Sequence, residues 1–158
     1  KLGKDSLDGL TIAIKGIGKV GYQLANYVLE DGAKLIVADK SEDKMQYINE
    51  LQKQYPFKIE IVDHNEIHKK EVDVYSPCAM GNDIRISRIS QMNCKVICGA
   101  ANNQLDIVDS AIAKQQLLDH KILYVPDTIA NAGGVFRSAG VILKSRDEQE
   151  SFKLITTI

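Results

Sequence analysis

The residues best suited to chemistry form the segment 16–21, with the sequence Gly-Ile-Gly-Lys-Val-Gly. In the spacing G-x-G-x-x-G, Gly16 permits a tight turn, Gly18 lets a ligand approach the backbone, and Gly21 allows a helix to pack closely. A strand is predicted directly before the segment, and the segment opens a predicted helix, which is the context in which this spacing binds a pyrophosphate. Backbone N–H groups at the start of the helix, which includes Lys19 and Val20, would hold the phosphates. The alternative is that the glycines serve only turn and packing geometry.

An acidic residue, Asp39, ends the second predicted strand, 18 residues after Gly21. A carboxylate at this position can accept hydrogen bonds from the hydroxyls of an adenosine ribose, and it would repel a 2′-phosphate. The glycine segment and Asp39 together therefore predict a dinucleotide site that prefers NAD over NADP. Lys40 follows directly and weakens this preference, because a cation there suits a phosphate.

The glycine segment and Asp39 can meet at one site only if the strands that precede them end at a common edge of a sheet. Short β-branched runs alternate with helix-length amphipathic segments, which is typical of a parallel α/β sheet. Strands are predicted at residues 10–15, 34–39, 58–62, 72–76, 95–98 and 122–125. The expected fold is therefore α/β, a Rossmann-type doubly wound and mainly parallel sheet with helices on both faces. With no repeat and no linker, residues 1–158 are expected to form one domain.

Apolar spacing and capping residues predict the helices between these strands. The first covers residues 19–31, ends at Gly32 and buries Val20, Leu24 and Val28. Ser41 is expected to cap a second helix. A later helix is expected to bury a face comprising Val108, Ala111, Ile112 and Leu118. A last helix is expected to start near Asn131.

The composition argues against several classes of binding partner. The chain has 158 residues, a net charge of -1 and 44% apolar residues, so nothing favours nucleic acid or an anionic membrane as a partner. No apolar run reaches the roughly 18 residues of a membrane helix. Three unevenly spaced cysteines predict free thiols in a reducing cytoplasm rather than disulfides. His64 and His68 are interpreted as part of a solvated polar turn, and no metal site is predicted.

Three further segments follow predicted strands and carry small residues and side-chain amides. They are residues 76–81, Ser-Pro-Cys-Ala-Met-Gly, residues 99–105, Gly-Ala-Ala-Asn-Asn-Gln-Leu, and residues 124–135. In a doubly wound fold such segments border the ligand crevice. Small residues let a flat ring lie close to the backbone, and amides can bond a carboxamide or sugar hydroxyls. Cys78, without a histidine partner, is interpreted as a small packing residue near the cofactor rather than a nucleophile.

With its Pro-Cys-Ala-Met-Gly, Ala-Asn-Asn-Gln-Leu and Asn-Ala-Gly-Gly-Val motifs in this order, the sequence resembles the glutamate, leucine, phenylalanine and valine dehydrogenase superfamily. The likeness is closest to the leucine/phenylalanine branch and runs from about residue 7 to 135. It implies that Asp39 holds the adenosine ribose of NAD. It also implies that Ala79, Ala101 and Asn102 lie along the nicotinamide-side ribose, with Asn131 near the carboxamide and the substrate.

The resemblance also implies an enzyme whose acid–base residues are elsewhere. Family members carry catalytic lysines and an aspartate in a preceding substrate domain, including a Gly-Gly-Gly-Lys segment that this sequence does not contain. We therefore expect a fragment of a longer polypeptide, with no catalytic residue or metal ligand of its own. The full-length enzyme would deaminate an L-amino acid oxidatively and assemble as a homo-oligomer. The alternative is a non-catalytic dinucleotide-binding or regulatory module.

One stretch departs from the family pattern. Residues 82–86 read Asn-Asp-Ile-Arg-Ile, whereas the family pattern leads one to expect a hydrophobic residue followed by Ile-Asn-Asp. Arg85 and Arg88 in and beyond this stretch are interpreted as a solvated helix face.

Overall fold

The strands lie side by side in a single parallel sheet. The computed structural model describes residue 3, residues 5–105 and residues 108–133. The strands are β1 (Thr11–Lys15), β2 (Lys34–Ala38), β3 (Ile59–Ile61), β4 (Glu71–Pro77), β5 (Asn93–Ile97) and β6 (Leu123–Tyr124). Their spatial order is β3-β2-β1-β4-β5-β6, and each neighbouring pair is parallel. The predicted Rossmann-type doubly wound fold is confirmed, because the winding reverses between β1 and β4 and opens a crevice there.

Helices connect the strands. They are α1 (Lys19–Glu30), α2 (Glu42–Gln54), α3 (Ile86–Ile89), α4 (Ser110–Asp119) and α5 (Asp127–Ala130), with a 3-10 turn at Ile67–Lys69. The sequence predicted α1, α2 and α4, and the interpretation of Arg85 and Arg88 as a helix face anticipated α3 without giving its bounds. The short α5 and the 3-10 turn carry too few apolar repeats to be recognised. The helix predicted to start near Asn131 falls largely on residues outside those described. Within the described part of the chain, no helix is long and apolar enough to cross a membrane.

The centre of the sheet is buried on both faces. Ile12 and Ile14 of β1 belong to one apolar cluster, which includes buried residues of α1 and α2. Ala13, between them, belongs to a second cluster that includes Ile89 of α3 and Leu117 of α4. This alternation is the two-residue period of a strand, and it confirms helices on both faces.

The face that α1 buries differs in part from the predicted one. Val28 is buried as predicted and Leu24 is partly buried, but Val20 is 59% exposed. The other buried residues of the helix are Gly21, Ala25 and Leu29. Gly21 sets this rotation, because a Cβ there would lie 1.9 Å from the carbonyl oxygen of Gly16. The helix therefore presents its glycine to the loop, and Val20 turns outward. The predicted end of α1 is confirmed by the Gly32 N–H, which bonds the Leu29 carbonyl at 3.1 Å.

The predicted buried face of α4 is wrong. The helix buries Ala113 and Leu117, whereas the expected face is exposed, comprising Val108, Ala111, Ile112 and Leu118. Apolar residues occur all around this helix, so their spacing does not select one side. The choice is made by packing against α3 and β6.

Candidate functional site

A crevice opens at the carboxyl ends of β1, β2 and β4. It encloses a cavity of about 450 Å³, a size suited to a small ligand or to part of a larger one. Six of the predicted site residues line it, namely Gly16, Gly18, Asp39, Lys40, Cys78 and Ala79. These positions are spread over 64 residues of sequence, and the fold brings them to one cavity.

The three glycines of the loop have different surroundings. A Cβ on Gly16 would lie 2.6 Å from the Ala79 nitrogen, and Gly16 has a φ of +101°. Gly21 packs against Gly16 itself. Gly18, in contrast, has no heavy atom within 4 Å of a built Cβ, although it lines the cavity. The absence of a side chain at Gly18 is therefore not required by packing and leaves space beside the backbone.

Gly18 also precedes α1 as its N-cap. The first N–H groups of a helix have no carbonyl partner within the helix, and they carry its positive dipole end. Lys19 and Val20 begin the helix and are exposed. This end of the cavity is consequently suited to an anion.

Asp39 lies directly after β2 with its side chain only 7% exposed. Its Oδ2 accepts the backbone N–H of Ile17 at 2.6 Å, and its Oδ1 accepts that of Ser41 at 2.9 Å. Lys44 Nζ lies 3.8 Å from Oδ2. Each carboxylate oxygen can accept more than one hydrogen bond, so Asp39 retains capacity for hydroxyl donors. Ser41 is the N-cap of α2 as predicted, but its side chain makes no capping bond.

The small residues after β4 form the adjoining wall. The Cys78 N–H donates to the Lys15 carbonyl at 2.7 Å, which continues the strand pairing into the loop. The Cys78 thiol lies 3.5 Å from Ser76 Oγ and packs against the cluster that contains α1 and α2. These contacts agree with a packing role. All three cysteines are free.

The amide-bearing segments meet beyond this cavity, at the ends of β5 and β6. Asn131 Nδ2 donates to Asn102 Oδ1 at 2.6 Å and lies 3.4 Å from the Ala100 carbonyl. Ala101 is buried, and its N–H bonds the Pro77 carbonyl at 2.9 Å. The structure thus brings Ala101, Asn102 and Asn131 together, whereas Ala79, which was also predicted for the nicotinamide end, lines the cavity. The bond between these two amides leaves Asn102 Nδ2 as a donor and Asn131 Oδ1 as an acceptor for a ligand.

A charged cluster at the cavity was not predicted. Lys15, only 8% exposed, forms an ion pair with Asp83. Asp83 also accepts the Tyr75 hydroxyl at 2.5 Å and lies 3.3 Å from Arg88 Nη1. Burial, followed by the Asp83 carboxylate, raises the pKa of Tyr75, which keeps the phenol a donor. The signal in the sequence that could have indicated this cluster is Lys15, a charged residue at the end of the mostly apolar strand β1.

Two further predictions about charged residues need correction. Arg88 is partly buried and paired with Asp83, so only Arg85 remains on a solvated face. His68 is 6% exposed rather than solvated, because the 3-10 turn packs against β1 and β2. Burial, followed by the charges of Arg88 and then Lys15, lowers its pKa. Among the described residues, no group of acidic, cysteine or histidine side chains is placed to hold a metal ion.

Comparison with known proteins identifies the family. The profile of Glutamate/Leucine/Phenylalanine/Valine dehydrogenase matches residues 1–149. The chain belongs to this family. It is 40% identical over 137 residues to a phenylalanine dehydrogenase of Bacillus thermotolerans. It is 41% identical over 137 residues to a leucine dehydrogenase of Bacillus subtilis (strain 168). These matches confirm the predicted leucine/phenylalanine branch.

The matches cover most of this chain but a smaller part of each relative. Each of the two alignments covers 87% of the chain and 35% of the relative, so the chain spans about a third of the length of these relatives. The crystal structure of L-tryptophan dehydrogenase from Nostoc punctiforme superposes on 96% of the chain. That match has a TM-score of 0.86 and 32% identity, and it covers 44% of the solved chain.

Proposed function

We propose that residues 1–158 are the NAD-binding domain of an amino-acid dehydrogenase. The observation that carries the proposal is the pairing of Gly18 and Asp39 at one cavity, the first with open space beside its backbone. Gly18 and the start of α1 would hold the pyrophosphate. Asp39 would accept hydrogen bonds from the adenosine ribose. Family membership supports a nicotinamide dinucleotide as the ligand.

The remaining predicted residues would bind the other half of the cofactor. Ala79 and Ala101 offer small side chains that let the ribose and ring lie close to the backbone. Asn102 and Asn131, already joined at 2.6 Å, would bond the ribose and the carboxamide. When bound, NAD accepts a hydride at its nicotinamide ring. The role of these residues is to position that ring.

The whole protein would oxidatively deaminate an L-amino acid to a 2-oxo acid and ammonia. The curated relatives are a phenylalanine and a leucine dehydrogenase, each about three times the matched length. We therefore assign proton transfer and amino-acid binding to a substrate domain outside this chain, and no catalytic residue to the chain itself. We further propose that the full-length enzyme is a cytoplasmic homo-oligomer.

Calorimetry with NADH and a deamination assay test this function. The 158-residue chain should bind NADH while showing no turnover of leucine, phenylalanine, valine or glutamate in the presence of NAD. A Gly18→Val variant is the control for binding at the loop. Failure to bind any nicotinamide dinucleotide would reject the proposed cofactor, and deamination by the chain alone would reject the assignment of catalysis to another domain.

The second candidate, a non-catalytic dinucleotide-binding module, would also bind NADH without turnover. The length of the gene product separates the two. An upstream substrate domain with the lysine motif, and deamination by the full-length protein, would support the enzyme.

A further inference from the structure

The cavity carries a surplus of positive charge, although the chain as a whole has a net charge of -1. Its basic lining residues are Lys15, Lys40, Lys44, Arg85 and Arg88. Its acidic lining residues are Asp39 and Asp83. The five cations exceed the two carboxylates by three charges, an excess that favours an anionic ligand.

Three of the cations have a carboxylate partner. Asp83 is within ion-pair distance of both Lys15 and Arg88. Lys44 lies 3.8 Å from Asp39. These contacts offset part of the charge within the protein.

The other two cations have no such partner. Within residues 5–105 and 108–133, neither Lys40 nor Arg85 has a carboxylate oxygen within 4.0 Å. Arg85 Nε donates instead to the Asn82 carbonyl at 3.2 Å, which does not neutralise it. Both side chains are exposed at the cavity, so they are free to meet a ligand.

Lys40 stands beside the position proposed for the adenosine ribose. It follows Asp39 directly, and the two line the same cavity as Arg85. A phosphate on this ribose adds roughly one and a half to two negative charges near neutral pH. Two unpaired cations match that charge.

Asp39 would ordinarily exclude a phosphate at this place. Here its repulsion is reduced, because its side chain is 7% exposed and Lys44 lies 3.8 Å away. Both oxygens also accept backbone N–H groups, from Ile17 and Ser41. The carboxylate therefore presents less uncompensated charge to the cavity than a solvated one would.

We propose that this site also binds NADP(H), with Lys40 and Arg85 as the cationic partners of the adenosine 2′-phosphate. The inference rests on the proposed dinucleotide function and deepens it. The competing assignment for the two cations is the pyrophosphate, which NADH and NADPH share.

Titration of the 158-residue chain with NADH and NADPH at several salt concentrations tests the inference. Wild type should bind NADPH with a Kd within about tenfold of that for NADH. Arg85→Gln should weaken NADPH binding by about fivefold and leave NADH within about twofold, and Lys40→Gln should weaken NADPH binding about fivefold more than it weakens NADH binding. NADPH affinity should also fall more steeply with salt, because its additional contacts are exposed.

Lys53→Gln is the matched control. It removes an exposed cation from the last turn of α2, away from the cavity lining, and should change neither affinity. NADH binding without detectable NADPH binding would overturn the inference and leave the proposed function intact. Equal losses for both cofactors in the Lys40 and Arg85 variants would assign these cations to the pyrophosphate and also overturn it. Binding of neither cofactor by wild type would reject the inference together with the proposed function.

Discussion

The Asp39 carboxylate accepts a hydrogen bond from the backbone N–H of Ile17 at 2.6 Å. This contact joins the end of β2 to the middle of the glycine loop, 22 residues earlier in the chain. Ile17 is 1% exposed, so its N–H needs a protein acceptor. Asp39, which is proposed to bind the ribose, thus also holds the glycine loop in place, and this loop is proposed to bind the phosphates.

Replacing Asp39 by serine should change cofactor preference. Loss of the charged acceptor should weaken NADH binding by about 1–3 kcal/mol. NADPH binding should improve, because the like charge next to its 2′-phosphate is removed and Lys40 is free to bind it. Calorimetric titration of both cofactors against wild type and variant measures the change in preference.

Asp39→Asn provides the matched control for support of the loop. It retains a side-chain oxygen for the Ile17 N–H but removes the charge and the acceptor of the Ser41 N–H. Both variants should therefore move the NADH/NADPH ratio in the same direction. A ratio that stays at the wild-type value in both would show that Asp39 does not act on the ribose.

Two glycines of the loop should respond differently to a side chain. Gly18→Val should abolish most NADH binding while the fold survives, since a Cβ at Gly18 meets no heavy atom within 4 Å but enters the cavity. Gly21→Val should instead prevent stable folding, because its Cβ would lie 1.9 Å from the Gly16 carbonyl oxygen. Thermal unfolding together with NADH titration separates the effects. Unfolding of the Gly18 variant would contradict its assignment to ligand approach.

Asp83 should be important for stability. Asp83→Asn leaves the buried Lys15 ammonium and the Arg88 guanidinium without their carboxylate, and breaking a buried ion pair in this way costs about 3–5 kcal/mol. Adding Lys15→Met should recover part of the loss, since it removes the buried charge. Urea denaturation of the two variants measures both effects.

The exposed ion pair between Lys70 and Glu60 supplies the comparison. Its two side chains are 39% and 54% exposed, and Glu60→Gln should change the free energy of unfolding by no more than about 1 kcal/mol. A similarly small effect for Asp83→Asn would mean that the buried cluster does not stabilise the fold.

His68 should make the protein less stable in mild acid. Burial and neighbouring cations lower its pKa in the folded chain, whereas an unfolded histidine has a pKa of about 6.5. As the pH falls below that value, the unfolded state binds more protons than the folded state, so the free energy of unfolding decreases. Urea denaturation between about pH 7.5 and pH 5.5 measures the slope.

Replacement of His68 by glutamine should make this slope shallower. His120→Gln, at an exposed position of the chain, serves as the control and should retain the wild-type slope. If His68→Gln also retained it, the acid dependence would have to come from other groups.

Features that depend on short-range patterning could be predicted from the amino-acid sequence. Alternating β-branched runs and amphipathic segments predicted all six strands, because the β-branched and apolar residues that favour a strand lie within that strand's own sequence. The glycine segment and Asp39 were equally visible, since a tight turn and a strand end impose local demands on residue type. The roles of Ala101, Asn102 and Asn131 in binding a cofactor remain predictions.

Features that depend on residues far apart in the chain became visible in the folded structure. Lys15 and Asp83 are 68 residues apart, and no local spacing shows that they form an ion pair. The faces buried by α1 and α4 were set by the contact of Gly21 with Gly16 and by packing against α3 and β6. Burial of His68 likewise depends on a 3-10 turn lying against β1 and β2. The physical reason is that burial and charge pairing are properties of assembled elements, whereas helix and strand periodicity belong to each segment alone.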